Sequence, residues 1–318
     1  MTATEAILEM PTNSKNDFAD ELVARVSQAT LVRPNEPLAK RTTLRVGGPV
    51  DVYVEPADEN DLAAVLRFCG EHKMSFFILG RGSNLLVRDG GFRGVAICLS
   101  QPAFTKIEIV GEKIRCGAGA KLKNVAVEAR RNSLSGVEFL EGIPGSVGGA
   151  LRMNAGAMGG QTFDAVESVR LMDYQGNARD VSPHELTVTY RSCATLKNHV
   201  ALAAVFKCKT LPREAIEKRM KSFSEKRWES QPAAPSAGCI FKNPAAIPAG
   251  KLVDELGLKG TRAGGAVVSA EHGNFIINNG KATARDVLEL IEILKAKAKS
   301  ARGIELQTEV EIIGEDLI

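Results

Sequence analysis

EGIPGSVGGALRMNAG, residues 141–156, is the stretch around which the rest of the chain reads. It opens on an acid, Glu141, passes through Gly142, Ile143 and Pro144, and sets Gly145, Gly148 and Gly149 around Ser146 and Val147. It closes on Asn154, Ala155 and Gly156. Glycine lets a backbone take positive φ and lets another group approach it closely. Glycines crowded beside small polar residues point to backbone held against something other than protein, and phosphate is the usual guest of such loops. Ordinary tight turns use glycine as well, so composition alone leaves both readings open.

A second loop of this kind stands upstream. SFFILG (75–80) reads as a buried strand that runs into Gly80-Arg81-Gly82-Ser83-Asn84-Leu85-Leu86. Consecutive N–H groups and hydroxyls at a strand end suit a phosphate. The loop is not a P-loop, since no Lys-Ser/Thr follows its glycines, and it lacks the third glycine and following helix of a Rossmann fingerprint. Residues 80–160 hold 16 of the chain's 30 glycines.

Outward from the loops, strand and helix signals alternate. Phe18, Leu22 and Val26 predict a helix over 17–29, behind a loose tail over residues 1 to about 15. Val50, Val52 and Val54 alternate with Asp51, Tyr53 and Glu55 as in a strand. Asp58 is placed to cap a helix whose face is Leu62, Val65, Leu66 and Cys69. VAICL (95–99) is a further strand. FTKIEIV and KIRCG form a hairpin about Gly111-Glu112, and Leu122, Val125, Ala126 and Ala129 share a helix face. Residues 166–182 hold two strands joined by Gln175-Gly176-Asn177. Tyr190-Arg191 falls at a strand end, and VALAAVFKCKT (200–210) is another strand. Arg213 to Trp228 is a charged helix with Ile216, Met220 and Phe223 inward. A short helix over 251–256 and a strand in GNFIINNG (273–280) follow. Thr283 and Asp286 form a capping box for a helix over 284–301, which Gly303 ends. In IELQTEVEII (304–313), Ile304, Leu306, Thr308, Val310 and Ile312 share one strand face, opposite Glu305, Gln307, Glu309 and Glu311. By texture the chain divides into a tail and short helix (1–30) and three parts, 31–99, 100–212 and 213–318.

Composition narrows the function classes. With 318 residues, 44% hydrophobic and 25% charged, the chain is of ordinary globular type, and its net charge of +3 is not that of a nucleic-acid binder. Aromatics at 5% are too few for single-strand stacking platforms. Six scattered cysteines with no CxxC pair argue against a metal site and a disulfide framework. The start carries no basic n-region, and no apolar run reaches the length of a membrane span. The expectation is a cytoplasmic protein, favoured as a monomer, with no membrane partner.

Seven pieces, read together, strongly resemble the UDP-N-acetylenolpyruvoylglucosamine reductase family, flavoenzymes of bacterial peptidoglycan precursor synthesis. They are TTLRVGGPVDVYVEP, LGRGSNLLVRDGGFRGV, EFLEGIPGSVGGALRMNAGAMGG, TYR, SAGCIFKNP, HGNFIINNG and ELQTEVEIIG, in the family's order, from about residue 40 to the end. The chain is similar to the family's shorter branch. The resemblance implies an α+β fold: a two-part FAD-binding module of the vanillyl-alcohol-oxidase type (31–99 and 100–212) and a C-terminal α+β substrate-binding domain (213–318). It implies NADPH and FAD as cofactors and a nucleotide-sugar substrate. Hydride passes to C3 of the enolpyruvyl group and a proton to C2, giving UDP-N-acetylmuramate.

The same resemblance assigns residues. Gly80, Arg81, Gly82, Ser83, Asn84, Leu85, Gly142, Ile143, Pro144, Gly145, Ser146, Val147, Gly149, Asn154 and Ala155 become candidate FAD contacts, because two phosphates need many N–H donors where Cβ atoms would obstruct. Arg191, Cys239 and Glu309 become the catalytic candidates. Arg191 suits a carboxylate and an enolate, though a surface arginine is the commoner state. Glu309 fits the family's terminal acid, though its own strand face would otherwise be solvated. Cys239 departs from the pattern, standing where serine is usual. A thiol is mostly protonated near neutrality and donates as a serine hydroxyl would, whereas a purely packed cysteine is the plainer alternative. As the donor, Cys239 is expected to be sensitive to alkylation and protected by substrate. Tyr190, Arg227, Gln231, Lys242, Asn243 and Asn274 are candidate substrate contacts, each otherwise a packing or surface residue. Another FAD-dependent oxidase of the same fold, or a non-catalytic nucleotide-binding homologue, remains the alternative.

Overall fold

The computed structural model describes residues 14–317, so the tail expected over 1 to about 15 lies outside it up to residue 13. The first helix, Ser14–Val23, stops six residues short of the expected 29. Ser27 and Thr30 explain the stop. The Ser27 N–H and hydroxyl and the Thr30 hydroxyl all donate to the Asp61 carboxylate (2.9, 2.5 and 2.6 Å), and such side-chain bonds compete with helix.

The first sheet has the order 31–37, 49–55, 92–98, 76–79. Pro49–Glu55 pairs antiparallel with Leu31–Pro37 and parallel with Phe92–Cys98, which pairs parallel with Phe76–Leu79. Val52, Val54, Val95 and Ile97 pack on the helix Glu59–Glu71, whose N-cap Asp58 accepts from the N–H groups of Asn60 and Asp61 as its spacing predicts. The alternation of 50–55 misleads in one respect. Asp51 and Tyr53 are buried along with the valines they alternate with, because a second face of the sheet is covered too. Asp51 is tolerated there because Arg93 (2.8 Å) and the Gly94 N–H (2.9 Å) answer its charge.

The second sheet is antiparallel throughout, in the order 178–181, 166–173, 199–207, 113–117, 107–110. The helix Leu122–Arg131 lays Leu122, Val125, Ala126 and Ala129 into its core, which is continuous with that under the first sheet. Ile216 and Met220 of the helix Arg213–Ser230 enter this same core. A separate core begins at Ala237 in the third part. There the antiparallel sheet 236–239, 275–278, 266–268, 262–263 packs against Val287, Leu290, Ile291, Leu294 and Ala298 of the helix Ala284–Arg302. Leu44, Val46 and Leu86 of the first part fill that core as well.

The chain end is shorter as a strand than its alternation implies. Only Glu311–Ile313 is strand, parallel to Leu85–Val87. Before it, Thr308 bridges Phe241, and the N–H groups of Glu309 and Val310 both reach the Ile240 carbonyl (2.7 and 3.4 Å). The segment thus leaves one sheet edge and bends to join another, and Glu309 sits at the bend. Among the described residues, no helix is long and apolar enough to cross a membrane.

The capping box at Thr283 and Asp286 and the Gly303 stop (φ 65°) form as expected. A third cap comes from the first part: the Asp89 carboxylate accepts from the N–H groups of Ala284 (2.8 Å) and Arg285 (2.9 Å). Those two donors have no partner within their helix, and the helix dipole favours an anion there. Asp89→Ala is therefore expected to destabilise the fold by about 1–2 kcal/mol in denaturant unfolding, with Asp89→Asn recovering part of the loss.

Candidate active site

The two glycine loops face each other. A Cβ on Gly80 would fall 2.9 Å from Ser146 Oγ, and one on Gly82, whose φ is +61°, would fall 2.5 Å from the Arg41 carbonyl oxygen. Ser146 caps the short helix Val147–Met153, accepting from the Gly149 N–H at 3.4 Å. Between the loops and the third part runs a cleft of about 1430 Å³. That exceeds the roughly 300–1,000 Å³ of a single small-ligand pocket. Nine lysines and arginines line it against three glutamates, although the whole chain carries only +3. The positive charge is concentrated where a phosphorylated ligand would lie.

Arg191, Cys239 and Glu309 meet on this cleft's wall. Arg191 is not at a strand end but in the two-residue turn between Val188–Thr189 and Ser192–Cys193, at φ +56°. A non-glycine residue in this region is uncommon, and such conformations cluster at functional sites. Its Nε meets Glu309 Oε1 at 3.1 Å and its Nη2 donates to the Gly156 carbonyl at 3.3 Å. Only 21% of the Arg191 side chain and 15% of the Glu309 side chain are exposed. Burial pushes the Glu309 carboxyl above the ordinary range, while Arg191 and, more weakly, Lys242 pull it back.

Cys239 ends the strand Ser236–Cys239. Its position is set from behind by Asn274. The Asn274 amide donates to the Phe241 carbonyl (2.8 Å) and accepts from the Phe241 N–H (2.9 Å), and its own carbonyl accepts from the Ile240 N–H (2.9 Å). Burial pushes the Cys239 thiol up to about 12, and the Glu309 charge adds to this, whereas Arg191 and Asn274 oppose it. The group is a thiol, not a thiolate, at neutral pH.

The comparisons with known proteins agree on one family. The model of the UDP-N-acetylenolpyruvoylglucosamine reductase C-terminal domain matches residues 231–313, and that of an FAD-binding domain matches residues 50–182. The UDP-N-acetylenolpyruvoylglucosamine reductase of Syntrophomonas wolfei is 42% identical over 90% of this chain and 96% of its own. That of Clostridium tetani is 42% identical over 96% of this chain and 99% of its own. The chain belongs to the UDP-N-acetylenolpyruvoylglucosamine reductase family. The crystal structure of the Thermus caldophilus reductase, 37% identical, superposes with a TM-score of 0.78 over 89% of this chain and 98% of that one. The fold is the α+β one expected, with an FAD-binding module of the vanillyl-alcohol-oxidase type. The cleft fits that cofactor: at Gly142, on the wall, a Cβ would stand in space that no protein atom fills, and the wall is cationic.

Not every residue expected to touch a ligand lies on the cleft wall. Gly80 to Leu85, Gly142 to Ser146, Gly149, Ala155, Arg227 and Gln231 do. Val147 does not: it is fully buried, and its N–H donates to the Ala120 carbonyl at 2.9 Å. Asn154 is a latch. Its amide donates to Gln161 Oε1 (3.0 Å) and to the Thr189 carbonyl (3.3 Å), holding the turn that carries Arg191. Asn243 is exposed, and its side chain accepts from the Ala249 N–H (3.0 Å), capping the helix Ala249–Glu255. Asn274 spends its amide on Phe241, as above. Tyr190 is 49% exposed off the wall, with the Arg191 guanidinium 4.9 Å from its ring centre. Lys242 acts on Glu309 by charge rather than by lining the cleft. Asn84, although on the wall, donates its side-chain amide to the Glu309 carbonyl at 3.1 Å.

Sequence reasoning missed Arg41, Lys121, Arg152 and Trp228, which also line the cleft. Arg152 lies inside the opening stretch and pairs with Glu311 at 2.8 Å. The others share no spacing that marks a site, and only the fold brings them together. The raised pKa of Cys239 acts against the expected sensitivity to alkylation, since the thiolate is the nucleophile. At neutral pH, Cys239 is expected to react with iodoacetamide roughly a hundredfold more slowly than free cysteine, measured by peptide mass spectrometry. A rate equal to free cysteine would contradict the raised pKa of the thiol.

Proposed function

We propose that the protein is an NADPH-dependent flavoenzyme that reduces the enolpyruvyl group of UDP-N-acetylglucosamine enolpyruvate to UDP-N-acetylmuramate, a step of peptidoglycan precursor synthesis. The supporting observation is the meeting of Arg191, Glu309 and Cys239 on the wall of a cleft bounded by both glycine loops. The names of the relatives point to the same substrate.

FAD held between the two glycine loops would, once reduced by NADPH, supply the hydride that C3 of the enolpyruvyl double bond accepts. Negative charge then develops at C2 and spreads into the adjacent carboxylate. Arg191 stabilises it, because its charge is fixed and its guanidinium matches a carboxylate. Glu309 acts in its acid form, which burial favours and Arg191 opposes, and donates a hydrogen bond to the enolate oxygen. Cys239 Sγ–H gives its proton to C2, and the thiolate left behind recovers a proton from solvent. A pKa of about 12 keeps the thiol protonated until the substrate carbanion, a stronger base, draws the proton off. The Asn274 clamp holds the Cys239 segment, and the Asn84 amide holds the Glu309 backbone.

Two expectations follow. Cys239→Ser keeps turnover within about tenfold of the parent, while Cys239→Ala loses about 10²–10⁴-fold, read as NADPH oxidation dependent on the enolpyruvyl nucleotide. Full turnover in the Ala variant would exclude Cys239 as the donor. Because the protonated form of Glu309 acts and its pKa is raised, kcat/KM declines as pH rises through that pKa. Glu309→Gln, which cannot titrate, is expected to be slow and flat over about pH 5–9. An unchanged alkaline limb in that variant would assign the limb to another group.

A further inference from the structure

The Asn274 clamp behind Cys239 has a support of its own. The backbone N–H of Asn274 donates to His272 Nδ1 at 3.1 Å. A backbone N–H can only donate, so Nδ1 is the acceptor and the ring proton sits on Nε2. The imidazole that holds Asn274 is therefore neutral. A second proton would set an N–H against an N–H and break the bond. The ring is itself fixed by packing. It meets the Phe275 ring edge-on, with centres 4.9 Å apart. It also lies against the helix Ala249–Glu255 at Gly250, where a Cβ would fall 2.7 Å from its Cε1 and 3.1 Å from its Nδ1. Phe275 pairs with Cys239 across the third sheet and reaches the cleft wall, whereas His272 lies off that wall.

Whatever His272 does for the reaction must therefore pass through Asn274 and Phe275. Both end on the segment of Cys239: Phe275 by strand pairing, Asn274 by its bonds to Phe241 and to the Ile240 N–H. We propose that neutral His272 is a positioning residue for the proton donor, its Nδ1 fixing the Asn274 backbone so that Asn274 in turn aims Cys239 Sγ at the substrate. The role rests on the reading above, in which Cys239 gives its proton to C2. The surroundings favour the neutral ring. Burial and then the Lys259 ammonium hold the imidazole below the ordinary histidine range, and one backbone hydrogen bond opposes them. The other nearby charges are engaged. On the helix Ala249–Glu255, Asp254 pairs with Lys259 at 2.9 Å and Lys251 with Glu255 at 3.8 Å. On the ring's own segment, Glu271 accepts from Ser269 Oγ. The support is present at neutral pH and is lost as pH falls through this depressed pKa, below about 6.5.

The test follows the flavin of the FAD-loaded protein through bleaching by NADPH and recolouring by the enolpyruvyl nucleotide. His272→Phe keeps a ring and loses the acceptor. His272→Asn loses the ring and keeps an acceptor, because an Asn carbonyl accepts from the N–H two residues on. At about pH 7.5 and saturating substrate, recolouring is expected to slow at least about tenfold in His272→Phe and to stay within about threefold of the parent in His272→Asn. Bleaching and melting temperature stay near the parent's in both. In the parent, recolouring slows about tenfold per pH unit below the His272 pKa, and His272→Asn, which cannot titrate, lacks that fall. This comparison stands even where His272→Phe does not fold. A further readout needs no substrate: iodoacetamide modifies Cys239 severalfold faster in His272→Phe, as its segment loosens, and not in His272→Asn. Unchanged recolouring and alkylation in His272→Phe overturn the assignment. So does a loss of bleaching alongside recolouring, an Asn variant as impaired as the Phe variant, or an acid limb that survives in His272→Asn. A parent that bleaches but is not recoloured would instead contradict the proposed reduction, leaving His272 to be judged on the alkylation rates.

Discussion

A carboxyl group and a guanidinium taken out of water together hold this site in place. Glu309 and Arg191 lie 118 residues apart in the chain, yet their side chains meet at 3.1 Å with little of either exposed. A buried charge left alone is strongly unfavourable, and a buried pair is tolerated only when geometry and further hydrogen bonds support it. Here the support comes from several elements. Asn154 fixes the turn of Arg191, Asn84 grips the backbone of Glu309, and the Ile240 carbonyl accepts from the Glu309 N–H. The return of Glu311–Ile313 to pair with Leu85–Val87 closes the arrangement, because it carries the third part's acid back beside the first part's glycine loop.

The same burial sets the chemistry. It raises the carboxyl of Glu309 and the thiol of Cys239, so both lean toward the protonated form, and the Arg191 charge opposes each rise. Two protonatable groups thus stand beside one fixed cation. A nucleophilic cysteine would need the opposite environment, with positive charge dominating and the thiol pKa lowered. The surrounding cleft, rich in lysine and arginine, is suited to anions.

Much of this was legible in the sequence. Asp58, the Thr283–Asp286 box and Gly303 act through local bonds within a few residues, and each forms as its spacing predicts. The glycine loops announced backbone approach, and the resemblance attached a cofactor to them. What spacing could not show is which amides are already spent. The resemblance offers Asn154, Asn243 and Asn274 as ligand contacts, but distant backbone takes the amides of Asn154 and Asn274, and the next helix start takes that of Asn243. The terminal alternation made Glu309 one of four polar residues on a solvated face. Only the competition between two sheet edges, Phe241 and Leu85, bends the chain so that Glu309 turns inward. Arg152 and Trp228 were invisible for the same reason, since nothing local marks a residue as facing a cleft built by distant parts.

The central claim is that one cleft receives hydride and proton equivalents and delivers both to an enolpyruvyl nucleotide. Anaerobic flavin absorbance tests it most directly. The FAD-loaded protein should bleach on addition of one equivalent of NADPH and recover its oxidised spectrum when UDP-N-acetylglucosamine enolpyruvate is added without oxygen. Flavin that bleaches and stays reduced in the presence of that substrate would contradict the account.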